Sequence, residues 1–105
     1  MVLIVGGKSQ GKSKFAVDNF PQMKLVDNLQ DVIREKMDKT EVLEEIEDNA
    51  VVVCDEVGCG IVPVERQDRE YRELVGEICC ELAKKADKVY RVICGMGVVI
   101  KDVDN

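Results

Sequence analysis

The sequence predicts an α/β fold in which a mostly parallel β-sheet lies between two layers of helices. Residues 1–5 and 50–54 are short apolar segments of the length expected for buried strands, and residues 88–94 are predicted as a further strand. Segments with helical periodicity separate them, and this alternation is typical of parallel sheets with right-handed crossovers. A glycine-rich loop directly follows the first strand, which is the usual place for a turn from strand into helix.

The first half of the chain is predicted to contain a short helix and a short strand after the loop. The helix begins at residue 11 or 12 and ends near residue 19, because Pro21 cannot continue it. Residues 24–26 have the composition of a short strand. Segment 27–48 is then predicted to be mostly helical, in two parts.

Acidic residues are predicted to begin both parts of that helical segment. Asp27 with Gln30, and Asp38 with Glu41, have the spacing of a capping box, in which each side chain bonds the other residue's amide. The apolar residues that follow fall on one face of a helix, and the charged residues are expected on its solvated face.

The second half is predicted to contain a long helix and a final strand. Apolar residues repeat at steps of three and four over residues 64–87, which is the strongest helical pattern in the chain. Gly95 and Gly97 are predicted to form a tight turn after the 88–94 strand. Residues 98–100 are then predicted as a last short strand.

Length and charge limit the classes of function. The chain has 105 residues, and we expect one domain over residues 1–105, reduced in size for a nucleotide-binding fold. Such a small chain buries a modest share of its surface, so we expect it to form a homo-oligomer. The net charge of −6 argues against nucleic-acid binding, because no basic surface is available to displace counterions.

The sequence also indicates where the protein works. No apolar stretch approaches about 20 residues, so we expect no membrane span, and the opening apolar run is too short for a signal peptide. The five cysteines match no zinc ligand spacing, and no histidine is present to complete a set. We expect most of them to be buried reduced thiols, as suits a cytoplasmic protein.

Residues 6–13 match the phosphate-binding pattern G-x-x-x-x-G-K-[ST], called the P-loop. In this pattern, backbone amides surround phosphate oxygens, the Lys12 ammonium reaches the β- and γ-phosphates, and the Ser13 hydroxyl binds Mg²⁺. The alternative is a glycine-rich turn that binds nothing. The predicted nucleotide-binding residues are Gly6, Gly7, Lys8, Ser9, Gln10, Gly11, Lys12 and Ser13.

Two acidic residues follow the apolar 50–54 segment. The carboxyl ends of parallel strands meet at one edge of a sheet, so Asp55 and Glu56 are expected near the phosphate loop. One carboxylate would help Ser13 to hold Mg²⁺, a role assigned to Asp55, and the other would orient an attacking hydroxyl or water. Lys12, Asp55 and Glu56 are therefore the candidate catalytic residues. The alternative is an ordinary polar strand end.

Three arginines lie in the early turns of the long helix. Arg66, Arg69 and Arg72 are spaced by three residues and share one helix surface. They either neutralise phosphate charge, in the same subunit or across a subunit boundary, or pair with neighbouring glutamates on an exposed surface. The sequence leaves both interpretations open.

Residues 55–63, Asp-Glu-Val-Gly-Cys-Gly-Ile-Val-Pro, resemble the N-E-V-G-x-G-I-V-P segment of the bifunctional adenosylcobinamide kinase and adenosylcobinamide-phosphate guanylyltransferase family. The resemblance continues through residues 69–76 and reaches Lys101, and the loop resembles the family's G-G-x-x-S-G-K-S. It implies a P-loop α/β fold, a cytoplasmic enzyme of cobalamin synthesis and assembly into trimers. It also implies that ATP or GTP phosphorylates the alcohol of adenosylcobinamide, and that GMP is then transferred from GTP.

The chain departs from that family in several places. The family carries GMP on a histidine between the loop and the Glu-Val-Gly segment, but this sequence has no histidine. The family also has a strand there that ends in an aspartate, and we expect this chain to lack it, with Asp55 taking over that carboxylate's role. Asp55 replaces the family's asparagine, and Gly97 replaces a proline.

These departures favour the kinase step, because phosphoryl transfer needs positioning and charge rather than a protein nucleophile. Without a histidine, guanylyl transfer is not expected. Two alternatives remain open: a non-catalytic nucleotide-binding paralogue, and a small NTPase in which Glu56 orients water. The sequence does not choose between ATP and GTP.

Overall fold

A computed structural model describes residues 1–56 and 66–103, and these form a five-stranded sheet with helices on both sides. The elements, in chain order, are β1 (Val2–Gly6), α1 (Lys12–Asn19), β2 (Lys24–Val26), α2 (Leu29–Lys36), α3 (Lys39–Glu45), β3 (Ala50–Asp55), α4 (Arg66–Lys85), β4 (Lys88–Ile93) and β5 (Met96–Asp102). The predicted α/β class with a mostly parallel sheet is confirmed. The predicted start of the long helix, residues 64 and 65, lies outside the described residues.

The sheet has the strand order β2-β3-β1-β4-β5. The first four strands are parallel, and β5 runs antiparallel to β4 at the edge. In the register of the central pair, Gly6 lies opposite Asp55. The start of the phosphate loop and the acidic end of β3 therefore stand side by side at one edge of the sheet.

The two faces of the sheet pack against different helices. Val2 and Ile4 lie in an apolar cluster with Ala16 of α1. Leu3, from the same strand, lies in a larger cluster with residues of α2, α3 and α4, such as Ile78. Successive side chains of a strand point to opposite faces, so an unbroken apolar run suits a strand covered on both sides. The result is the predicted three-layer arrangement.

The turn between β4 and β5 differs from the prediction. It consists of two residues, Cys94 and Gly95, with φ of 51° and 77°. Positive φ at both central positions is typical of a type I′ hairpin turn. Gly97 lies within β5, and its missing Cβ makes room for the Phe15 ring, whose nearest atom would be 2.3 Å from a Cβ there. The strand is also longer than the predicted 98–100.

Of the two predicted helix caps, one is confirmed and the other is wrong. Asp38 caps α3, because its carboxylate accepts a hydrogen bond from the Glu41 amide at 3.0 Å. The residue before α2 is Asn28, in a left-handed conformation and with no capping side-chain bond. Asp27 instead contacts Ser13 at the phosphate loop, and Gln30 contacts the end of β3.

The cysteines are less buried than predicted. Cys54 is buried and Cys79 is partly buried, with their sulfur atoms 3.7 Å apart, but Cys80 and Cys94 are exposed. Cys59 lies outside the described residues. The contact with Cys79, together with burial, raises the pKa of the Cys54 thiol, which stays protonated and acts as a small apolar side chain. Among the described residues, no helix is long and apolar enough to cross a membrane.

Candidate phosphate-binding site

The loop after β1 has the backbone features of an anion-binding turn. Ser9 and Gly11 have positive φ, of 62° and 88°, and both are exposed. Gly11 is the N-cap of α1, and no side chain caps the helix there. The uncapped first turn of a helix attracts anions through its free amides and its dipole.

Lys12 crosses the loop to reach β3. Only 6% of its side chain is exposed, and its ammonium donates to the Gly7 carbonyl at 2.6 Å. The same nitrogen lies 2.8 Å from the Asp55 carboxylate. An ammonium group buried this deeply requires a partner, and Asp55 supplies the opposite charge.

Ser13 contacts a different carboxylate from the one predicted. Its hydroxyl lies 2.8 and 2.9 Å from the two carboxylate oxygens of Asp27. Asp27 follows β2, which pairs with β3 in the sheet. The expectation that this chain lacks a strand ending beside an aspartate is therefore wrong. Asp55, predicted to share Mg²⁺ with Ser13, contacts Lys12 instead.

Gln30 is a site residue that the sequence did not reveal. It is only 8% exposed, and its side-chain carbonyl accepts a hydrogen bond from the Asp55 amide at 3.0 Å. The Tyr71 hydroxyl donates to the Gln30 backbone carbonyl at 3.0 Å. These contacts fix the end of β3 against α2 and α4. From its spacing to Asp27, this glutamine was predicted to cap α2.

The two acidic residues at the end of β3 contact different elements. While Asp55 faces Lys12 of α1, the Glu56 carboxylate lies 2.8 and 3.1 Å from the guanidinium nitrogens of Arg91 on β4. The Glu56 amide donates to the Gly6 carbonyl at 2.8 Å. The Glu56 side chain is thus held by β4 next to the start of the loop, and its predicted catalytic role stays a prediction.

The β4–β5 hairpin supports the loop from the other side. The side-chain carbonyl of Gln10 accepts from the Cys94 amide at 2.8 Å, and its backbone carbonyl accepts from the Gly95 amide at 2.7 Å. Gly11 lies against the same turn, since a Cβ there would be 3.3 Å from the Gly95 Cα. The conformation of the loop thus depends on an edge hairpin that is distant in sequence.

A cleft of about 380 Å³ lies in front of the loop, lined by residues 8–13, by α2 and the residue before it, and by the end of β3. The exposed Lys8 side chain lies at this cleft. The predicted arginines of α4 do not line it. Arg66 pairs with Glu70 at 2.9 Å on the surface, Arg69 is exposed and Arg72 is partly buried. No group of three metal-ligating side chains occurs among the described residues.

Comparison with known proteins supplies the family. The sequence model of the family described as cobinamide kinase / cobinamide phosphate guanyltransferase matches residues 19–100. This chain belongs to that family. The matched region begins after residues 6–13 and does not include them.

Two curated members of the cobinamide kinase family show how much is shared. The bifunctional adenosylcobalamin biosynthesis protein CobU of Salmonella typhimurium is 47% identical over 51 residues, and that of Escherichia coli is 45% identical over 51 residues. Each match covers 49% of this chain and 28% of the relative. The chain therefore matches little more than a quarter of either relative's length.

Proposed function

We propose that this protein binds a nucleoside triphosphate, ATP or GTP, at residues 6–13 and transfers its γ-phosphoryl group to the alcohol of adenosylcobinamide. The observation that carries the proposal is the placement of Lys12 and Ser13, each beside a carboxylate, on an uncapped helix start in a chain of the cobinamide kinase family. Loop amides and the Lys12 ammonium would hold the phosphates.

The Ser13 and Asp27 side chains fit a magnesium ion, because hydroxyl and carboxylate oxygens are the ligands that Mg²⁺ prefers. Three oxygens of these two residues lie within 2.9 Å of one another. When bound with nucleotide, Mg²⁺ supplies charge neutralisation at the β- and γ-phosphates. We assign this position to Ser13 and Asp27, and not to Ser13 and Asp55.

Glu56 is proposed to orient the acceptor alcohol. Its carboxylate is 23% exposed and is held by two Arg91 nitrogens, so its direction is fixed while part of it remains accessible. A carboxylate in reach of the alcohol can accept its proton as the phosphoryl group transfers. Guanylyl transfer is not part of the proposal, because the chain has no histidine to carry GMP.

A nucleotide-binding protein without catalysis is the second candidate. The observation that favours it is that Lys12 is already paired with Asp55, in a chain that matches only 28% of its bifunctional relatives. A small NTPase, with Glu56 orienting water, is the third. In both cases the nucleotide would occupy the same loop.

Calorimetry followed by turnover separates these functions. We expect Mg-GTP or Mg-ATP to bind, and the labelled γ-phosphate to appear on adenosylcobinamide and not on its deoxygenated alcohol analogue. Binding with label released only as free phosphate would indicate an NTPase, and Glu56→Gln should then abolish release without weakening binding. Binding without any transfer would support the non-catalytic candidate, and an acid-labile guanylylated protein would contradict the restriction to the kinase step.

We also propose that the protein is a cytoplasmic homo-oligomer, with a trimer as the expected form. The edge strand β5 and the residue before its turn expose five large apolar side chains, between 41% and 66%, which need cover in water: Ile93, Met96, Val98, Val99 and Ile100. Sedimentation or light scattering would show the state directly, and a monomer at micromolar concentration would contradict the proposal.

A further inference from the structure

The phosphate cleft carries an unusual balance of charge for a site that would take an anion. Among the described residues, three carboxylates lie in or beside it, those of Asp27, Asp31 and Asp55, with two ammonium groups, those of Lys8 and Lys12. A nucleoside triphosphate adds several negative charges to this set. Binding must therefore remove or neutralise some of the carboxylate charge around the loop.

The most buried of the cationic groups is already paired. The Lys12 ammonium, 6% exposed, contacts both the Asp55 carboxylate at 2.8 Å and the Gly7 carbonyl at 2.6 Å. Asp55 is held at its backbone, because its amide donates to the buried Gln30 side chain. Lys12 is thus bound to a fixed acceptor within the loop.

We infer that Asp55 limits nucleotide affinity by competing with the phosphates for Lys12. The inference rests on the proposed nucleotide site. To reach the β- and γ-phosphates, the ammonium must exchange a charged, mostly buried partner for the incoming oxygens, and breaking such a pair is costly. Asp55 also repels the phosphates directly. It is a positioning residue that acts through Lys12.

This role predicts the opposite result from a role in metal binding. Asp55→Asn keeps the size of the side chain and one carbonyl acceptor near Lys12, but removes the charge. If Asp55 restrains Lys12, the variant binds nucleotide more tightly, most of all without Mg²⁺. If Asp55 holds Mg²⁺, the variant binds more weakly in the presence of Mg²⁺ and is unchanged in its absence.

The matched control is Asp31→Asn. Asp31 lines the same cleft and carries the same charge, but it is exposed and is separate from the contacts of Lys12. Removing the Asp31 charge measures the general effect of less negative charge near the loop on nucleotide affinity. Salt screens this effect. A difference between the two variants isolates the effect that passes through Lys12.

The experiment is isothermal calorimetry of wild type, Asp55→Asn and Asp31→Asn with GTP and with ATP, in EDTA and in Mg²⁺. We expect the Kd of Asp55→Asn in EDTA to fall about tenfold or more, and that of Asp31→Asn to change by less than about threefold. Asp55→Ser, a smaller uncharged variant, should show the same gain and guards against misfolding of the first. Circular dichroism checks each fold.

The outcomes separate the inference from the proposed function. Unchanged or weaker binding by both Asp55 variants in EDTA overturns the inference, even where wild type binds Mg-nucleotide and the proposed function stands. An equal gain in Asp31→Asn also overturns it, since the effect would then be general. Nucleotide binding by an Asp55 variant, but not by wild type or Asp31→Asn, supports the inference. Absence of nucleotide binding by all of these proteins contradicts both the inference and the proposed function.

Discussion

Replacing Gly97 by alanine should destabilise the protein through a contact with the helix that follows the phosphate loop. A Cβ at this position would lie 2.3 and 2.4 Å from two atoms of the Phe15 ring, where ordinary contacts are 3.4–4 Å. The ring would have to move by about 1 Å. Phe15 belongs to the first turn of α1, and its ring packs on Tyr90, with ring centroids 5.3 Å apart.

The expected cost combines two unfavourable terms with one favourable term. Overpacking of this kind costs about 1–3 kcal/mol, and loosening an aromatic pair adds about 0.5–1.5 kcal/mol. Alanine recovers about 0.5–1 kcal/mol, because glycine loses more backbone freedom on folding. We expect Gly97→Ala to lower the free energy of unfolding by about 1–3 kcal/mol, which corresponds to about 4–8 °C in Tm for each kcal/mol.

Urea and thermal denaturation of wild type, Gly97→Ala, Gly76→Ala, Phe15→Ala and the Phe15→Ala/Gly97→Ala double variant test this reasoning. Gly76→Ala is the matched control, because Gly76 lies in α4 with nothing within 4 Å of a Cβ, so the same change should stabilise by about 0.5–1 kcal/mol. Gly97→Ala in a Phe15→Ala background should cost little, since the ring is gone. A loss of the same size with and without the Phe15 ring would refute the steric explanation.

Three further outcomes are expected. Lys12→Met should weaken Mg-nucleotide binding about 10- to 150-fold by calorimetry, because a hydrogen bond from a charged group is lost. Equal affinity of the variant and wild type would show that Lys12 does not contact the phosphates. Arg91→Met should change the free energy of unfolding by less than about 1 kcal/mol, because the ion pair with Glu56 is half exposed. The same variant should slow phosphoryl transfer several-fold, because Glu56 loses the group that holds it. An unchanged rate would contradict the proposed role of Glu56. Burial raises the pKa of Tyr71, so the stabilisation that the protonated Tyr71 hydroxyl contributes is full below pH 10 and is lost as the pH rises beyond it. In urea titrations, the Tyr71→Phe variant should not show this loss of stability at high pH. At neutral pH the variant should cost about 1 kcal/mol, for the missing hydrogen bond to Gln30.

The sequence predicted the elements that local patterns define. Unbroken apolar runs at 1–5 and 50–54 predicted strands covered on both faces, and the structure shows each strand contributing to two clusters. The loop motif placed Lys12 and Ser13 at the start of α1, as observed. The Asp38 cap was also predictable, because a capping bond joins residues three positions apart.

The features that the sequence did not predict depend on contacts between residues distant in the chain. Asp27 fits a capping box by spacing, but its carboxylate has a stronger alternative in the Ser13 hydroxyl, which the β2–β3 pairing brings within 2.9 Å. Gly97 looks like a turn residue until the position of the Phe15 ring is known. Strand order is set by packing, and no pattern within residues 24–26 indicates which strand they join.

The side chains of Asp55 and Glu56 contact different elements because of the geometry of a β-strand. Neighbouring residues at a strand end point to opposite faces, so Asp55 meets Lys12 while Glu56 meets Arg91. Adjacency in sequence does not show this difference, because it depends on the pleat of the strand.

The central claim is that the backbone of residues 7–13 binds the phosphates of a nucleotide. Amide chemical shifts of ¹⁵N-labelled protein during titration with Mg-GTP test it most directly, with Mg-tripolyphosphate as a ligand that lacks base and sugar. We predict that both ligands produce their largest shifts at the amides of Gly11, Lys12 and Ser13. Saturating ligand that leaves these amides unmoved, or that shifts only residues away from the loop, would contradict the account.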